Sequence, residues 1–283
     1  MITSTCSKPI PIDQTHIRTT QRLILGLLLV RLLMGLSELL TYPGFPVLGA
    51  VAALIYVSVT YAMTAVLIWR ERERLADFYI GRAAVIIFIA GKPVILLAAI
   101  LGLTHFLGMN DALPFVILTP ISFGLLWVLW KDKRVILADR PGLLRRLLLG
   151  VGAGGVLGAL IGYLILLQSG PSGQPMSLPL VILLPLIQLA NAATCEEPLF
   201  RGFLWGLLNQ RGWRTGVVWL FQATIFWLSH IVYVIYFPIS FWIIVPLMGL
   251  AFGLIAWGAR DIAPSMLAHS LVNGLPQLVT GSW

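Results

Sequence analysis

Long apolar runs alternate with short polar connections along most of the chain. A helix needs about 20 predominantly apolar residues to cross a bilayer. Candidate spans lie near 23–41, 47–69, 83–103, 112–130, 147–168, 178–208, 216–236, 239–258 and 262–280. We predict an all-α fold, a polytopic transmembrane bundle of eight or nine helices. The number of helices is eight or nine because the short turn Tyr236-Phe237-Pro238 separates two apolar runs that could form one re-entrant or tilted unit.

Composition supports this class. Of the 283 residues, 59% are hydrophobic and only 11% are charged, whereas about a quarter of the residues in soluble domains are charged. The protein is therefore expected to have the lipid bilayer as its main partner. The net charge of +8 is spread over short clusters between apolar runs rather than along one stripe, so we predict no nucleic-acid partner.

The distribution of basic residues predicts an orientation. Outside the apolar runs, Lys and Arg occupy every second connection, namely the N-terminal tail, 69–82, 131–146, 209–215 and the turn at Arg260. The alternate connections, 42–46, 104–111, 169–177 and the turn at Pro238, contain neither residue. By the positive-inside rule the N-terminus is cytoplasmic, in a multi-pass protein of the cell membrane.

The chain divides into three regions. Residues 1–22 form a polar cytoplasmic tail, and the apolar run from Leu23 is interpreted as a retained helix because it is longer than a signal-peptide core and lacks a cleavage site. Residues 23–168 form the N-terminal transmembrane helices. After the turn-rich link 169–175, residues 178–283 form a second membrane region that carries the polar motifs described below.

Isolated polar features in the first region are interpreted as structural. Arg31, Glu38 and Lys92 are assigned to interhelical pairing or to snorkelling towards headgroups. The glycine run 150–155, which continues to Gly158, lacks the strand context and the Lys-Ser/Thr ending of a phosphate-binding loop. We predict that it mediates close helix packing.

The polar segment Ala193–Gly202 organises the second region. Ionisable residues at membrane depth are costly and usually functional, and this segment holds Glu196, Glu197 and Arg201. Glu197 and Arg201 are four residues apart, so they can form an ion pair on one helix face. Glu196 is rotated by roughly 100° and has no such local partner. It is therefore the glutamate that we predict to be available for chemistry, while Cys195 is interpreted as a packing residue.

Two later apolar segments supply complementary groups, Phe226 with His230 and His269 with Asn273. Glu196 lies 15 residues before Arg211, which is roughly 22 Å along a helix. His230 lies 16 residues after Arg214, roughly 24 Å. His269 and Asn273 lie 9 and 13 residues after Arg260, roughly 14 and 20 Å. All four depths fall within the hydrocarbon region, so one intramembrane site is expected.

In chain order the motifs are Glu-Glu-x-x-x-Arg, Phe-x-x-x-His and His-x-x-x-Asn. This pattern resembles the CAAX-protease and bacteriocin-processing family of intramembrane peptidases, bacterial relatives of the Ras-converting prenyl endopeptidase. The resemblance extends from Leu178 to the C-terminus. It implies an endopeptidase that hydrolyses membrane-associated or lipidated protein or peptide substrates. The implied catalytic residues are Glu196, His230, His269 and Asn273, supported by Glu197 and Arg201.

Two mechanisms fit these residues. Glu196 can activate a water molecule directly, or Glu196, His230 and His269 can hold a zinc ion that leaves one position open for water, as in a metallopeptidase. The family has been described both ways, and this sequence has no His-Glu-x-x-His helix. We favour the metal-free glutamate mechanism and keep zinc as the alternative cofactor.

A non-enzymatic function is the competing hypothesis. A membrane transporter or bacteriocin-immunity protein could use Glu196, Arg201 and His230 as a proton or ion relay. Many transporters contain inverted repeats with broken helices in corresponding positions. The first half of this sequence contains no second copy of the glutamate motif, which favours the endopeptidase.

Overall fold

The computed structural model describes residues 14–41, 46–101, 113–132, 135, 142–169 and 178–280, and every regular element in these ranges is helical. The predicted all-α fold is confirmed. The N-terminal half contains α1 (Gln14–Thr41), α2 (Pro46–Arg70), α3 (Arg82–Ile100), α4 (Leu113–Lys131), α5 (Leu143–Ser169) and the short 3₁₀ helix Leu75–Phe78.

The C-terminal half begins with a composite helix that we call the motif segment, residues 178–210. It consists of α6 (Leu178–Gln188), a π-helix (Leu189–Ala193), α7 (Thr194–Glu197), a second π-helix (Pro198–Leu204) and α8 (Trp205–Gln210). It is followed by α9 (Thr215–Leu228), α10 (Tyr233–Tyr236), the π-helix Ser240–Ile244, α11 (Val245–Ala259) and α12 (Ala263–Thr280).

Each predicted span corresponds to helix in the described residues, with two differences. Helix α1 begins at Gln14, well before the apolar run that starts at Leu23. The predicted span 216–236 is not continuous, because α9 ends at Leu228 and α10 begins only at Tyr233. Residues 1–13 of the tail, most of the link 169–175 and the side chain of Glu38 lie outside the described part.

Several helices have the character of membrane spans. Within the described residues, three stretches are long and apolar enough to cross a membrane: Arg82–Ile100, Leu143–Leu167 and Ser240–Ala259. Shorter apolar helices occupy Leu54–Arg70, Phe115–Lys131 and Thr215–Leu228. These helices make the chain a membrane protein.

Basic residues from different connections meet at one end of the bundle. Arg211 donates a hydrogen bond to Gln21 at 3.1 Å, and Arg74 donates one to Gln210 at 3.2 Å. Arg146, near the start of α5, reaches the last carbonyl of α11. We call this end of the bundle, where the connections carrying Arg74, Arg146 and Arg211 meet, the basic end.

The N-terminal helices pack directly on the motif segment. The ring centroids of Phe78 and Phe203 are 5.2 Å apart. Close approach is possible here because position 206 is glycine, where a Cβ would lie 2.7 Å from the carbonyl oxygen of Asp77. Trp205 is fully buried in the same hydrophobic core. The two regions predicted from the sequence therefore share one core.

Glycines on α5 allow α12 to approach it closely. A Cβ on Gly150 would lie 2.3 Å from the carbonyl oxygen of Pro264, and one on Gly154 would lie 2.5 Å from the Cα of Ala268. Gly158 lies on the same face of α5, because a Cβ there would lie 2.7 Å from the carbonyl oxygen of Leu271 in α12. Small residues at this spacing bring membrane helices into backbone contact. The packing predicted for the glycine run is thus present, and it fixes the helix that carries His269 and Asn273.

Candidate active site

The backbone of the motif segment widens on both sides of the two glutamates. The π-helices Leu189–Ala193 and Pro198–Leu204 flank the single α-turn that carries Glu196 and Glu197. Pro198 has no N–H, so it cannot make the ordinary helical hydrogen bond at this point. Such π-turns are frequent at functional sites.

Glu197 is the centre of a fully buried polar network. Its Oε1 accepts hydrogen bonds from Arg201 Nη1 at 3.0 Å and from His269 Nδ1 at 2.8 Å. Its Oε2 accepts one from the Ser265 hydroxyl at 2.7 Å. The predicted ion pair of Glu197 with Arg201 is therefore formed despite the π-helical turn between them. We call these four residues the Glu197 network.

Arg201 is held between this network and aromatic rings. Both carboxylate and guanidinium in the pair are completely buried. Arg201 also donates to the carbonyl of Gly249 at 3.2 Å, and its guanidinium carbon lies 4.2 Å from the centroid of the Phe226 ring. The ion pair, the backbone acceptor and the ring offset the cost of burying this cation.

Glu196 has a different partner, from a distant part of the chain. Its Oε1 lies 2.9 Å from Nη2 of Arg31 in α1, and both side chains are 9% exposed. Its Oε2 has no hydrogen-bond partner among the described residues. Instead, this oxygen lies 3.9 Å from His230 Nε2 and 3.8 Å from His269 Nε2. One oxygen of the carboxylate is thus engaged, and the other faces two imidazoles.

The contacts of His230 define its tautomer. Arginine can only donate, so the 2.9 Å contact from Arg31 Nη2 makes His230 Nε2 an acceptor. The proton is then on Nδ1, which lies 2.8 Å from the carbonyl oxygen of Phe226 and donates to it. The Phe-x-x-x-His spacing places this carbonyl next to the imidazole, at the point where α9 ends.

His269 is oriented by the carboxylate of Glu197. Because a carboxylate accepts, the 2.8 Å contact places a proton on His269 Nδ1 and directs Nε2 towards Glu196. The Phe252 ring stacks on the imidazole, with centroids 4.8 Å apart and planes 21° apart. A carboxylate that holds the far nitrogen of an imidazole fixes its tautomer and its orientation.

The catalytic candidates line one cavity of about 490 Å³, within the range of ligand pockets. Glu196, His230, His269 and Asn273 all contribute to its wall. Among the described residues, Asn273 forms no hydrogen bond with Glu196 or either histidine; its Nδ2 lies 3.4 Å from Gln188 Oε1, a long hydrogen bond. Its amide is therefore available to the cavity.

All six residues proposed from the sequence thus come together, with Glu197 and Arg201 behind the cavity wall. Arg31 and Ser265 complete the site, and sequence reasoning did not assign them to it. The signals were present, because Arg31 is a charged residue within an apolar run and Ser265 lies one helical turn before His269. Neither signal identifies a partner that is distant in sequence.

The arrangement does not match a zinc ligand set. Within the described residues, no group of three or more His, Cys, Asp or Glu side chains is placed to hold a metal ion. The guanidinium of Arg31 contacts both His230 Nε2 and Glu196 Oε1. A fixed positive charge therefore occupies His230 Nε2 and lies beside the carboxylate of Glu196, and we derive no catalytic step through a metal.

Comparison with known proteins places the site in a family context. Residues 178–275 match the family model described as type II CAAX prenyl endopeptidase Rce1-like. Neither a curated protein nor a solved structure matches the chain. The matched range contains all three motifs and excludes Arg31. The resemblance inferred from the motifs is therefore confirmed: over this range the chain is similar to the Rce1-like type II CAAX prenyl endopeptidases, a family of membrane proteases.

Proposed function

We propose that this protein is an intramembrane endopeptidase that hydrolyses peptide bonds with a water molecule activated by Glu196. The observation that carries the proposal is the position of Glu196 Oε2. This oxygen lacks a hydrogen-bond partner among the described residues, lies 3.8–3.9 Å from two imidazole nitrogens and belongs to a cavity-lining residue. A carboxylate placed in this way can accept a proton from water and return it to a leaving group.

In the first step, Glu196 Oε2 and His269 Nε2 each accept a hydrogen bond from the attacking water. As the water oxygen bonds to the substrate carbonyl carbon, its proton passes to Glu196. The bond to Glu197 places the proton of His269 on Nδ1, so Nε2 can accept a hydrogen bond but cannot donate one. His269 therefore binds the attacking water and does not stabilise the oxyanion. Arg31 engages Glu196 Oε1 and His230 Nε2, and so orients the carboxylate with Oε2 towards the cavity.

In the second step, the tetrahedral intermediate collapses. The carbon–nitrogen bond breaks, and Glu196 donates its proton to the leaving nitrogen, so one water molecule is consumed and the carboxylate is regenerated. The oxyanion that forms in between needs hydrogen-bond donors. The amide of Asn273, which lines the cavity and is 3.4 Å from Gln188 Oε1, is our candidate donor.

The expected substrates are membrane-associated or lipidated proteins and peptides. The family match supports a protease of this kind, and the cavity walls include Ile161 from α5 and Met248 from α11. A site enclosed by transmembrane helices and lined by such side chains is suited to an apolar or membrane-anchored segment. We place the protein in the cell membrane with the N-terminus in the cytoplasm, on the basis of the positive-inside rule.

The test is a comparison of protein termini in membranes from cells that produce the wild type, Glu196→Gln or Glu73→Gln. Glu73 lies near the basic end and outside the cavity, so it is a matched control for the same chemical change. With equal expression, we expect a set of new termini in the wild type and the control that is lost in Glu196→Gln. Identical termini in all three strains would refute proteolysis.

A further inference from the structure

The cavity extends in one direction from the catalytic residues. Gln277, which lines it, lies 17 residues beyond Arg260, roughly 26 Å along a helix. Gln188, also in the wall, lies 23 residues before Arg211, roughly 34 Å. Glu196 lies only 15 residues before Arg211, roughly 22 Å. The lining thus continues away from the basic end.

The opposite direction is closed. Between Glu196 and the basic end lies the Glu197 network, in which Glu197, Arg201 and Ser265 are each 0% exposed. Gln222, also 0% exposed, shares the carbonyl of Gly249 with Arg201. In the described part of the chain, these buried polar side chains lie between Glu196 and the basic end and are linked to one another through Glu197 and the carbonyl of Gly249. A substrate that approached Glu196 from the basic end would have to pass these buried side chains, including the ion pair of Glu197 with Arg201.

The chemistry of the walls indicates what enters. Apart from Arg31 and Glu196, none of the lining residues in the described part of the chain is Lys, Arg, Asp or Glu. Side chains from α5 and α11 supply an apolar surface, and Tyr233, Ser240 and Gln277 supply uncharged polar groups towards the far side. The cavity therefore suits an uncharged, mainly apolar stretch of peptide.

We infer that the active site receives its substrates from the membrane face opposite to the basic end, which is the extracytoplasmic face under the positive-inside rule. The substrate class is a membrane-anchored protein whose apolar segment is exposed on that face. A lipidated protein attached to the cytoplasmic leaflet would approach the closed side. This inference rests on the proposed function, because it specifies the substrate of the same site.

The first experiment determines the direction of the opening. In a Cys6→Ser background, Gln277→Cys or Ser240→Cys reports on the cavity side, and Arg214→Cys, which is exposed near the basic end, is the matched control. Cys195 remains in this background and is buried, so the labelling of Cys6→Ser alone gives the background signal. With a membrane-impermeant maleimide, we expect Gln277→Cys and Ser240→Cys to react in intact cells and Arg214→Cys to react only after permeabilisation. The reverse pattern would overturn the inference.

The second experiment maps the termini that depend on Glu196 onto the topology of their parent proteins. We expect them on extracytoplasmic flanks or in the adjoining half of a membrane span. Termini confined to cytoplasmic segments would overturn the inference and leave the proposed protease function intact. The absence of any terminus that depends on Glu196 would instead refute the protease function itself.

Discussion

Arg31 and Glu196 form an ion pair at 2.9 Å that joins the first helix of the bundle to the motif segment. The same guanidinium nitrogen reaches His230 Nε2 at 2.9 Å. Arg31 lies outside the range 178–275 that matches the family. The N-terminal helices of this protein therefore contribute a charged group to the site and do not act only as an anchor.

Replacing Arg31 should impair both stability and activity. In Arg31→Ala, the carboxylate of Glu196 would remain buried without its cation, which typically costs about 3–5 kcal/mol. We expect a lower midpoint of thermal unfolding and a loss of proteolysis of at least about 100-fold, because about 2.7 kcal/mol of transition-state stabilisation corresponds to that factor. Arg31→Lys should recover only part of the activity, since an ammonium lacks the planar fork of the guanidinium.

A double variant separates the two effects. In Arg31→Met with Glu196→Gln, both charges are absent, so thermal stability should return towards that of the wild type while proteolysis remains absent. If the double variant were no more stable than Arg31→Ala, the ion pair would not be the reason for the defect.

Glu197→Gln should reduce turnover more than substrate binding. The amide cannot balance the buried charge of Arg201, and it can donate to His269 Nδ1 and so move the imidazole proton to Nε2. Nε2 could then no longer accept a hydrogen bond from the attacking water. Loss of the orienting carboxylate costs about 10⁴ in kcat in a serine protease triad; here we expect at least about 100-fold in kcat, measured with a fluorogenic membrane peptide.

Ser265→Ala is the milder variant of the same network. It removes one hydrogen bond to Glu197 Oε2, a change worth about 0.5–1.5 kcal/mol, and it leaves Arg201 and His269 in place. If Ser265→Ala lowered kcat as far as Glu197→Gln does, the function of the Glu197 carboxylate would depend mainly on its hydrogen bond from the serine and not on its charge.

Metal removal should leave activity unchanged. Since the guanidinium of Arg31 engages His230 Nε2 and lies 2.9 Å from Glu196 Oε1, we expect 1,10-phenanthroline to have no effect on the detergent-solubilised enzyme. Elemental analysis should find well under one zinc per chain. Inhibition that is reversed by added zinc would instead establish the metallopeptidase alternative.

The contact between α5 and α12 can be tested with two neighbouring glycines. Gly154→Ala would place a Cβ 2.5 Å from Ala268 Cα, whereas a Cβ on Gly155 meets nothing within 4 Å. Both changes improve helix propensity by about 1 kcal/mol. We expect Gly154→Ala to lower the thermal midpoint and the activity, because α12 carries His269, and Gly155→Ala to be neutral or stabilising. Equal effects at both positions would contradict the close packing.

The transmembrane helices and the common depth of the three motifs could be predicted from the sequence for a physical reason. Apolar length determines which segments can span a bilayer, and the spacing of residues from basic markers determines their depth. Glu196, His230 and His269 could therefore be expected at one site before their contacts were known. The ion pair between Glu197 and Arg201 was equally accessible, because it is local to one helix.

The remaining features depend on long-range packing. The sequence places Arg31 at membrane depth but does not show that α1 lies against the motif segment and α9, so the partners of this residue were missed. The break after Leu228 was missed for a similar reason. At the break, the side chains of Ser229 and His230 both donate to the carbonyl of Phe226, and no proline or glycine marks the end of the helix in the sequence.

The glycine face of α5 also has a consequence for biosynthesis. Membrane helices emerge from the ribosome in order, the N-terminal ones first. The surface of α5 formed by Gly150, Gly154 and Gly158 has its partner in α12, which is made more than a hundred residues later. Until α12 inserts, His269 is absent and Glu197 lacks two of its hydrogen-bond donors. Under the proposed mechanism, the nascent protein therefore cannot hydrolyse peptide bonds while its earlier helices enter the bilayer beside other newly made membrane proteins.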